Sequence, residues 1–327
     1  MDGTLKFEGE YLFGNKWNGK YYDGLGNIVS ELKSGKGLIK EYNKNNILGF
    51  EGEYLNGLRN GKGKEYDCDG DLKFEGEYLN GLRNGKGKEY HYYSIQLKFE
   101  GEYLNGKLNG KVKEYYPNGK LKFEGEYLNG KRWNGILYNL IYNETCELKN
   151  GNGYIKEYDY YDRKLVFEGE YLNGIRNGKG KEYEYYKSIF EGEYLNGERN
   201  GKGNEYNKYD KLIFEGEYLY GHKIKGKEYY LDGKLEYEGE YLYDRKYNGK
   251  GYDKNSNIIY ELNNGNGKVK EYNTWDGKLK FEGEYLNGLR NGKGKEYNKN
   301  GELKFEGEYL YGNNWNGRYY DGLNNIV

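Results

Sequence analysis

The sequence predicts an all-β fold: an elongated, single-layer, twisted antiparallel sheet of stacked β-hairpins, built up as a solenoid-like rod. Three observations predict it. One phrase, Phe-Glu-Gly-Glu-Tyr-Leu, recurs along the whole 327-residue chain. Within each copy, ring-bearing and charged residues alternate with the two-residue period of a strand. Asn-Gly pairs separate the alternating runs, supplying residues that tolerate the positive φ of tight hairpin turns.

The phrase starts at Phe7, Phe50, Phe74, Phe99, Phe123, Phe167, Phe190, Phe214, Tyr237 (as Tyr-Glu-Gly-Glu-Tyr-Leu), Phe281 and Phe305, mostly 23 to 25 residues apart. Three gaps of 43 or 44 residues each hide a degenerate unit, near 29–49, 145–166 and 259–280, which keeps a Gly-x-Gly and a Lys-Glu-Tyr but loses the first ring and its glycine. A partial unit, 312–327, repeats the text of 14–29 almost word for word. Residues 1–327 therefore read as one continuous repeat array.

Residues 50–73 show how a unit becomes a hairpin. Alternation puts Phe50, Gly52 and Tyr54 on one face and Glu51, Glu53 and Leu55 on the other. Asn56-Gly57 turns the chain, and Lys62-Gly63-Lys64-Glu65-Tyr66 forms the return strand. A helix is excluded by the density of glycine, which costs about 1 kcal/mol at each interior position. We expect Gly61 and Gly63 to leave room for the Phe50 and Tyr54 rings, and Glu51 and Glu53 to face Lys62 and Lys64. One unit has too little apolar surface to fold alone, so stability must come from neighbours stacking in series.

Composition narrows the function. The chain has 54 Gly, 44 Tyr, one Pro and no Ala, which cannot fill a large enzyme interior. Lys plus Arg number 52 against 53 Asp plus Glu, and this balance excludes a general polyanion-binding surface, so nucleic acid is not expected as a partner. The start, Met1-Asp2-Gly3-Thr4, has no basic and apolar leader, and no apolar run approaches the ~20 residues of a membrane-spanning helix. A cytoplasmic location is expected, with Cys68 and Cys146 as free thiols and the sequon Asn143-Glu144-Thr145 unused.

Several chemical motifs dissolve on inspection. Gly57 to Lys62 resembles a phosphate loop but is one residue short and recurs in unit after unit. Asp67-Cys68-Asp69-Gly70-Asp71 has the acidity of a calcium loop without its closing Glu, and reads as a hairpin link. His91 and His222 fall in different units, so no metal site, cofactor site or catalytic triad is expected. Trp17, Trp133, Tyr247 and Trp315 stand out as the aromatics of a recurring Trp/Tyr-Asn-Gly phrase. They read either as anchors for a protein or glycan partner or as fillers of the corner beside each degenerate unit.

The pattern aromatic-Glu-Gly-Glu-aromatic, Asn-Gly, Asn-Gly-Lys-Gly resembles the MORN repeat, with Phe50, Gly52, Tyr54, Gly57, Gly61 and Gly63 at its characteristic positions. The Gly-Lys-Leu links at Gly119, Gly233 and Gly277 are similar to a variant found in bacterial proteins, some of them regarded as antitoxins. The resemblance implies a non-enzymatic scaffold for protein–protein binding or for self-association through terminal strand edges. It also implies, as alternatives, a peripheral lipid- or glycan-binding module or an antitoxin-like neutralising protein. Membrane lipid would be held weakly, because a net charge of -1 offers little to an anionic headgroup.

Overall fold

The computed structural model describes residues 5–92, 94–139, 144–159, 164–321 and 325–326. Asn143 of the sequon, Met1 to Thr4, and residues 322–324 and 327 of the partial unit lie outside the described residues. Among the described residues there are 28 strands and no helix. Strands follow one another in chain order across open sheets, each antiparallel to the last, which is the hairpin meander that the repeat predicts. No helix is long and apolar enough to cross a membrane.

The chain divides into two compact units, residues 1–163 with 171–175, and residues 164–170 with 176–327. The first contains a three-stranded sheet, Phe7–Leu12, Asn15–Tyr22 and Ile28–Leu32, and a ten-stranded sheet running from Gly37–Tyr42 to Glu144–Leu148. In the second, strands from Ile175–Glu184 to Ile258–Leu262 succeed one another, followed by a five-stranded sheet from Gly267–Tyr272 to Asn313–Tyr319.

The hairpin of Leu48–Leu55 and Leu58–Tyr66 shows why these residues fold this way. Asn56 and Gly57 both take left-handed angles, φ 53° and 76°, the turn that matches strand twist. Leu55 then stands opposite Leu58 and Tyr54 opposite Arg59, but Gly52 stands opposite Gly63, so the return strand carries a bulge around Gly61, φ 91°. The next link closes through its own aspartate, since Asp67 Oδ1 accepts the N–H groups of Asp69 and Asp71, each at 3.0 Å. That carboxylate serves the turn, as a hairpin link requires.

The core is a row of interlocked rings. Phe50 is fully buried and meets Tyr54 and Tyr78 edge-on, with centroids at 6.0 and 5.4 Å; Phe74 meets Tyr78 and Tyr103 at 5.7 and 5.2 Å. Each phenylalanine lies across glycines of its own and the next strand. A Cβ on Gly63 would sit 2.7 Å from Phe50 Cζ and 3.1 Å from Tyr78 Cε2. Gly63 therefore does what the sequence reading expects.

Gly61 does not. A Cβ there would run into the Glu53 carboxylate, not into a ring. In the equivalent bulges Glu77, Glu193 and Glu284 accept the backbone N–H of Lys86, Lys202 and Lys293, at 3.3, 2.9 and 3.0 Å. The second glutamate of each phrase thus satisfies a donor that the bulge takes out of the ladder. Glu51 pairs with Lys64 as expected, whereas Lys62 stands opposite Glu77 of the following strand.

The degenerate units mark the sheet boundaries. In Ile28–Leu32, Ser34 and Gly35 turn the chain (φ 49° and 72°) directly after Leu32, leaving a strand of five residues where regular units have eight. Leu32 stands opposite Gly19, and no Glu-Gly-Glu-Tyr segment remains to continue the ladder. The same tight turn recurs around the bridges Lys149 to Asn152 and Asn263 to Asn266.

Candidate binding surface

On the ring face, a cation and a carboxylate are built into every few strands. Arg59 follows Tyr54 by five residues and lies over the Phe50 ring, 3.8 Å from its centroid. Its Nη2 donates to Glu41 Oε2 at 2.6 Å, and the Tyr54 hydroxyl donates to Glu41 Oε1 at 2.7 Å. Arg83 and Tyr78 hold Glu65, Arg199 and Tyr194 hold Glu182, and Arg290 and Tyr285 hold Glu271 in the same way. Lysine substitutes at Lys223 and Lys246, which pair with Glu205 and Glu228 at 2.8 and 2.9 Å. Cation–π contact and charge-assisted hydrogen bonds thus fasten each ring to its neighbours.

Glu114 is the most enclosed of these carboxylates, with 8% of its side chain exposed. Burial alone would raise its pKa, but the Arg132 and Lys122 cations outweigh burial and hold it at about 2. A carboxyl whose folded pKa lies below its unfolded one stabilises the fold above pH ~4.5, and that stability drains away as pH falls toward 2. The shift corresponds to ~3 kcal/mol at neutral pH for this one group. Glu41, Glu65, Glu182 and Glu271 are also desolvated and still lowered by their arginine and tyrosine partners. Thermal melting followed by circular dichroism should therefore show a steep fall in Tm between pH 4.5 and 2; a flat profile would contradict the ladder.

The four aromatics singled out from the sequence fall at equivalent hairpins. Trp17 and Trp133 are half-buried, and a Cβ on Gly35 or Gly151 would sit 2.8 Å from Cζ3 of the respective indole. The N–H of each glycine donates to the same tryptophan's carbonyl at 2.7 Å, and Gly265 does so to Tyr247. The neighbouring asparagine completes the clasp: Asn18, Asn134 and Asn248 each accept the N–H of Ser34, Asn150 and Asn264 at 2.7 Å. The phrase pins a degenerate turn. Trp315 has no such turn against it among the described residues and is 70% exposed. We expect Trp133→Ala to lower Tm, by loss of ring packing on Gly151, whether or not a partner is present.

The opposite face forms a trough. Gly76 pairs with Gly87 and Gly87 with Gly101 along its centre line, and because residues at these positions face the rings on the other side, the floor is backbone alone. Charged side chains rise on both sides in bands, Glu75 and Glu77 on one strand, Lys86 and Lys88 on the next, Glu100 and Glu102 on the one after. The hollow has a volume of about 940 Å³ and reaches from Val29, Leu38 and Ile39 to Lys111. A second, of about 620 Å³, has the same plan in the other unit, with Lys268 and Lys270, Glu282 and Glu284, then Lys293 and Lys295. Facing rails are only loosely paired, as at Lys88 and Glu100 (3.8 Å, both nearly half-exposed), and such surface pairs are worth about 0–1 kcal/mol. The lysines can re-pair with something else at little cost, whereas Glu75 also accepts the Tyr90 hydroxyl at 2.8 Å and Glu77 the Lys86 N–H.

Neither histidine lines the trough: His91 Nε2 lies 3.1 Å from the Tyr115 carbonyl and His222 Nδ1 2.6 Å from Asp244, each a contact to the following hairpin. Cys68 and Cys146 are free thiols. Among the described residues no group of three or more His, Cys, Asp or Glu is placed to hold a metal ion.

Residues 50–72, 74–91, 99–120, 167–183, 190–207 and 281–302 match the model of the MORN repeat. These are the hairpins with the full bulge. The units starting at Phe7, Phe123, Phe214, Tyr237 and Phe305 fold as the same strand pairs with one residue fewer in the return strand. MORN repeats serve generally as interaction or membrane-binding modules and are not known as enzymes. No curated protein matches the chain. Among solved structures, the chain is similar to one described as "TcdB2-TccC3-Cdc42" (8% identity, TM-score 0.20, covering 95% of this chain and 15% of that chain). It is similar also to "TcdB2-TccC3 without hypervariable C-terminal region" (8% identity, TM-score 0.20, covering 90% and 15%). The chain spans about 15% of the length of these structures.

Proposed function

For a chain that carries six MORN repeats, we propose the role of a non-enzymatic scaffold that presents a repetitive β surface for protein–protein binding. The observation that carries this reading is the banded trough, which occurs in each unit with the same glycine floor and the same alternation of Glu and Lys strands. A catalytic centre is singular, whereas a surface repeated at every strand suits a partner that is itself extended. Self-association belongs to the same reading, since among the described residues Asn313–Tyr319 pairs with a strand on one side only.

The test compares the intact chain with a Lys64→Gln/Lys88→Gln variant, both checked for comparable Tm. Proteins from the source cells that the wild type retains and the variant loses would support the trough as the binding face. Identical retention by the two would overturn it. Sedimentation across a range of concentrations separates self-association from capture of a partner.

A further inference from the structure

The trough constrains the shape of its occupant. Its floor is made of paired strands whose N–H and C=O groups are engaged in the ladder, so a guest cannot add as another strand. Across the six strand spacings from Gly37–Tyr42 to Lys107–Tyr115 the trough is ~29 Å long. The trough is open along its top, so the charge pattern of its rails, not its width, selects the guest.

Charge fixes the spacing. From Leu48–Leu55 onward both rails carry the same sign on a strand and the opposite sign on the next, as Glu75 with Glu77 and then Lys86 with Lys88 show, whereas Gly37–Tyr42 offers Leu38 and Lys40. Like bands therefore recur every second strand, ~9.6 Å apart. A polyproline II helix has three residues per turn and a 3.1 Å rise, so equivalent residues recur every ~9.3 Å. The mismatch of ~0.3 Å per turn stays within side-chain reach over the three turns that the trough accommodates. A fully extended strand shows the same face every ~6.7 Å and falls out of step within one band.

From this match of period and sign, we propose that the trough of the first unit binds a polypeptide segment in the polyproline II conformation that carries one basic and one acidic residue in every three. The proposal rests on the scaffold reading and specifies the partner's chemistry. The basic side chains meet the bands of Glu75 and Glu100, the acidic ones meet those of Lys64 and Lys88, and proline keeps the guest extended before it binds.

The experiment is fluorescence anisotropy with the intact chain and three labelled eighteen-residue peptides. One repeats Pro-Lys-Glu; one has the same composition with lysines and glutamates spaced irregularly; one repeats Pro-Lys-Pro. We expect the Pro-Lys-Glu peptide to bind at least 10-fold tighter than either of the others, and Lys64→Gln/Lys88→Gln to remove that preference while the far-ultraviolet spectrum and Tm stay close to those of the wild type. Equal affinity for all three peptides, or no saturable binding of the repeating one, overturns the proposal. If the peptides fail while the wild type still retains a cellular protein that the variant loses, the scaffold reading stands and only the occupant is wrong. If that retention is also indifferent to the variant, the trough itself is not the binding face.

Discussion

Replacing Phe74 by alanine is expected to cost about 3–5 kcal/mol of stability, the range for a buried aromatic truncated in a core that cannot collapse around the gap. Phe74 is fully buried, meets Tyr78 and Tyr103 edge-on, and carries the Arg83 guanidinium 4.0 Å above its centroid. Its removal exposes both rings and takes away the nearer of the two rings under Arg83, which keeps Glu65, Glu89 and the Tyr103 ring at 6.0 Å. Strand neighbours cannot close in, because the ladder fixes their separation at ~4.8 Å. Leu82→Ala, at a side chain 49% exposed on the same hairpin, should change stability by about 0.5 kcal/mol or less. Urea unfolding followed by circular dichroism, with hydrogen exchange of the Leu72–Leu79 and Leu82–Tyr90 amides, separates the two. A loss at Phe74 no larger than at Leu82 would show that the rings are not the core.

Gly87→Ala is expected to destabilise, against the ordinary direction of such a change. In a strand that accepts any residue, Gly→Ala gains about 0.4–1 kcal/mol by restricting the unfolded chain. At Gly87 the added Cβ would lie 2.5 and 2.6 Å from Phe74 Cζ and Cε2 and 3.3 Å from Tyr103 Cε2. The rings are locked by their own neighbours, so the methyl must displace one of them, at about 1–3 kcal/mol for an overpacked core. The sign of the change is diagnostic: a raised urea midpoint would mean that the glycine row has no steric purpose.

The fold was legible because its determinants are local. Alternation around Phe50 and Tyr54 and the Asn56-Gly57 turn specify the hairpin within some two dozen residues, and repetition specifies the stacking. Two features were harder to read. The bulge at Gly61 places Glu53 against backbone instead of Lys62, because register beyond the turn depends on a two-residue excess that alternation does not display. Alternation assigns Arg59 no role and Glu65 only a place in the return strand, yet both belong to the half-buried ladder that joins successive hairpins. The five-residue step from Tyr54 to Arg59, repeated from Tyr78 to Arg83 and from Tyr194 to Arg199, is the signal that could have revealed them. The trough was implicit in the Glu-Gly-Glu and Lys-Gly-Lys phrases, but its depth depends on how the sheet curves, which no single strand records. Trp17 and Trp133 pack on Gly35 and Gly151 in the turns of the degenerate units.

The interlock of ring and glycine is tested most directly by a double-mutant cycle on Phe74 and Gly87. Phe74→Leu removes the ring atoms that a Cβ on Gly87 would meet, so Gly87→Ala should cost at least ~1 kcal/mol less in that background than in the wild type. Additive costs, within ~0.5 kcal/mol, would contradict the account and leave the recurrence of glycine opposite each ring without a physical cause.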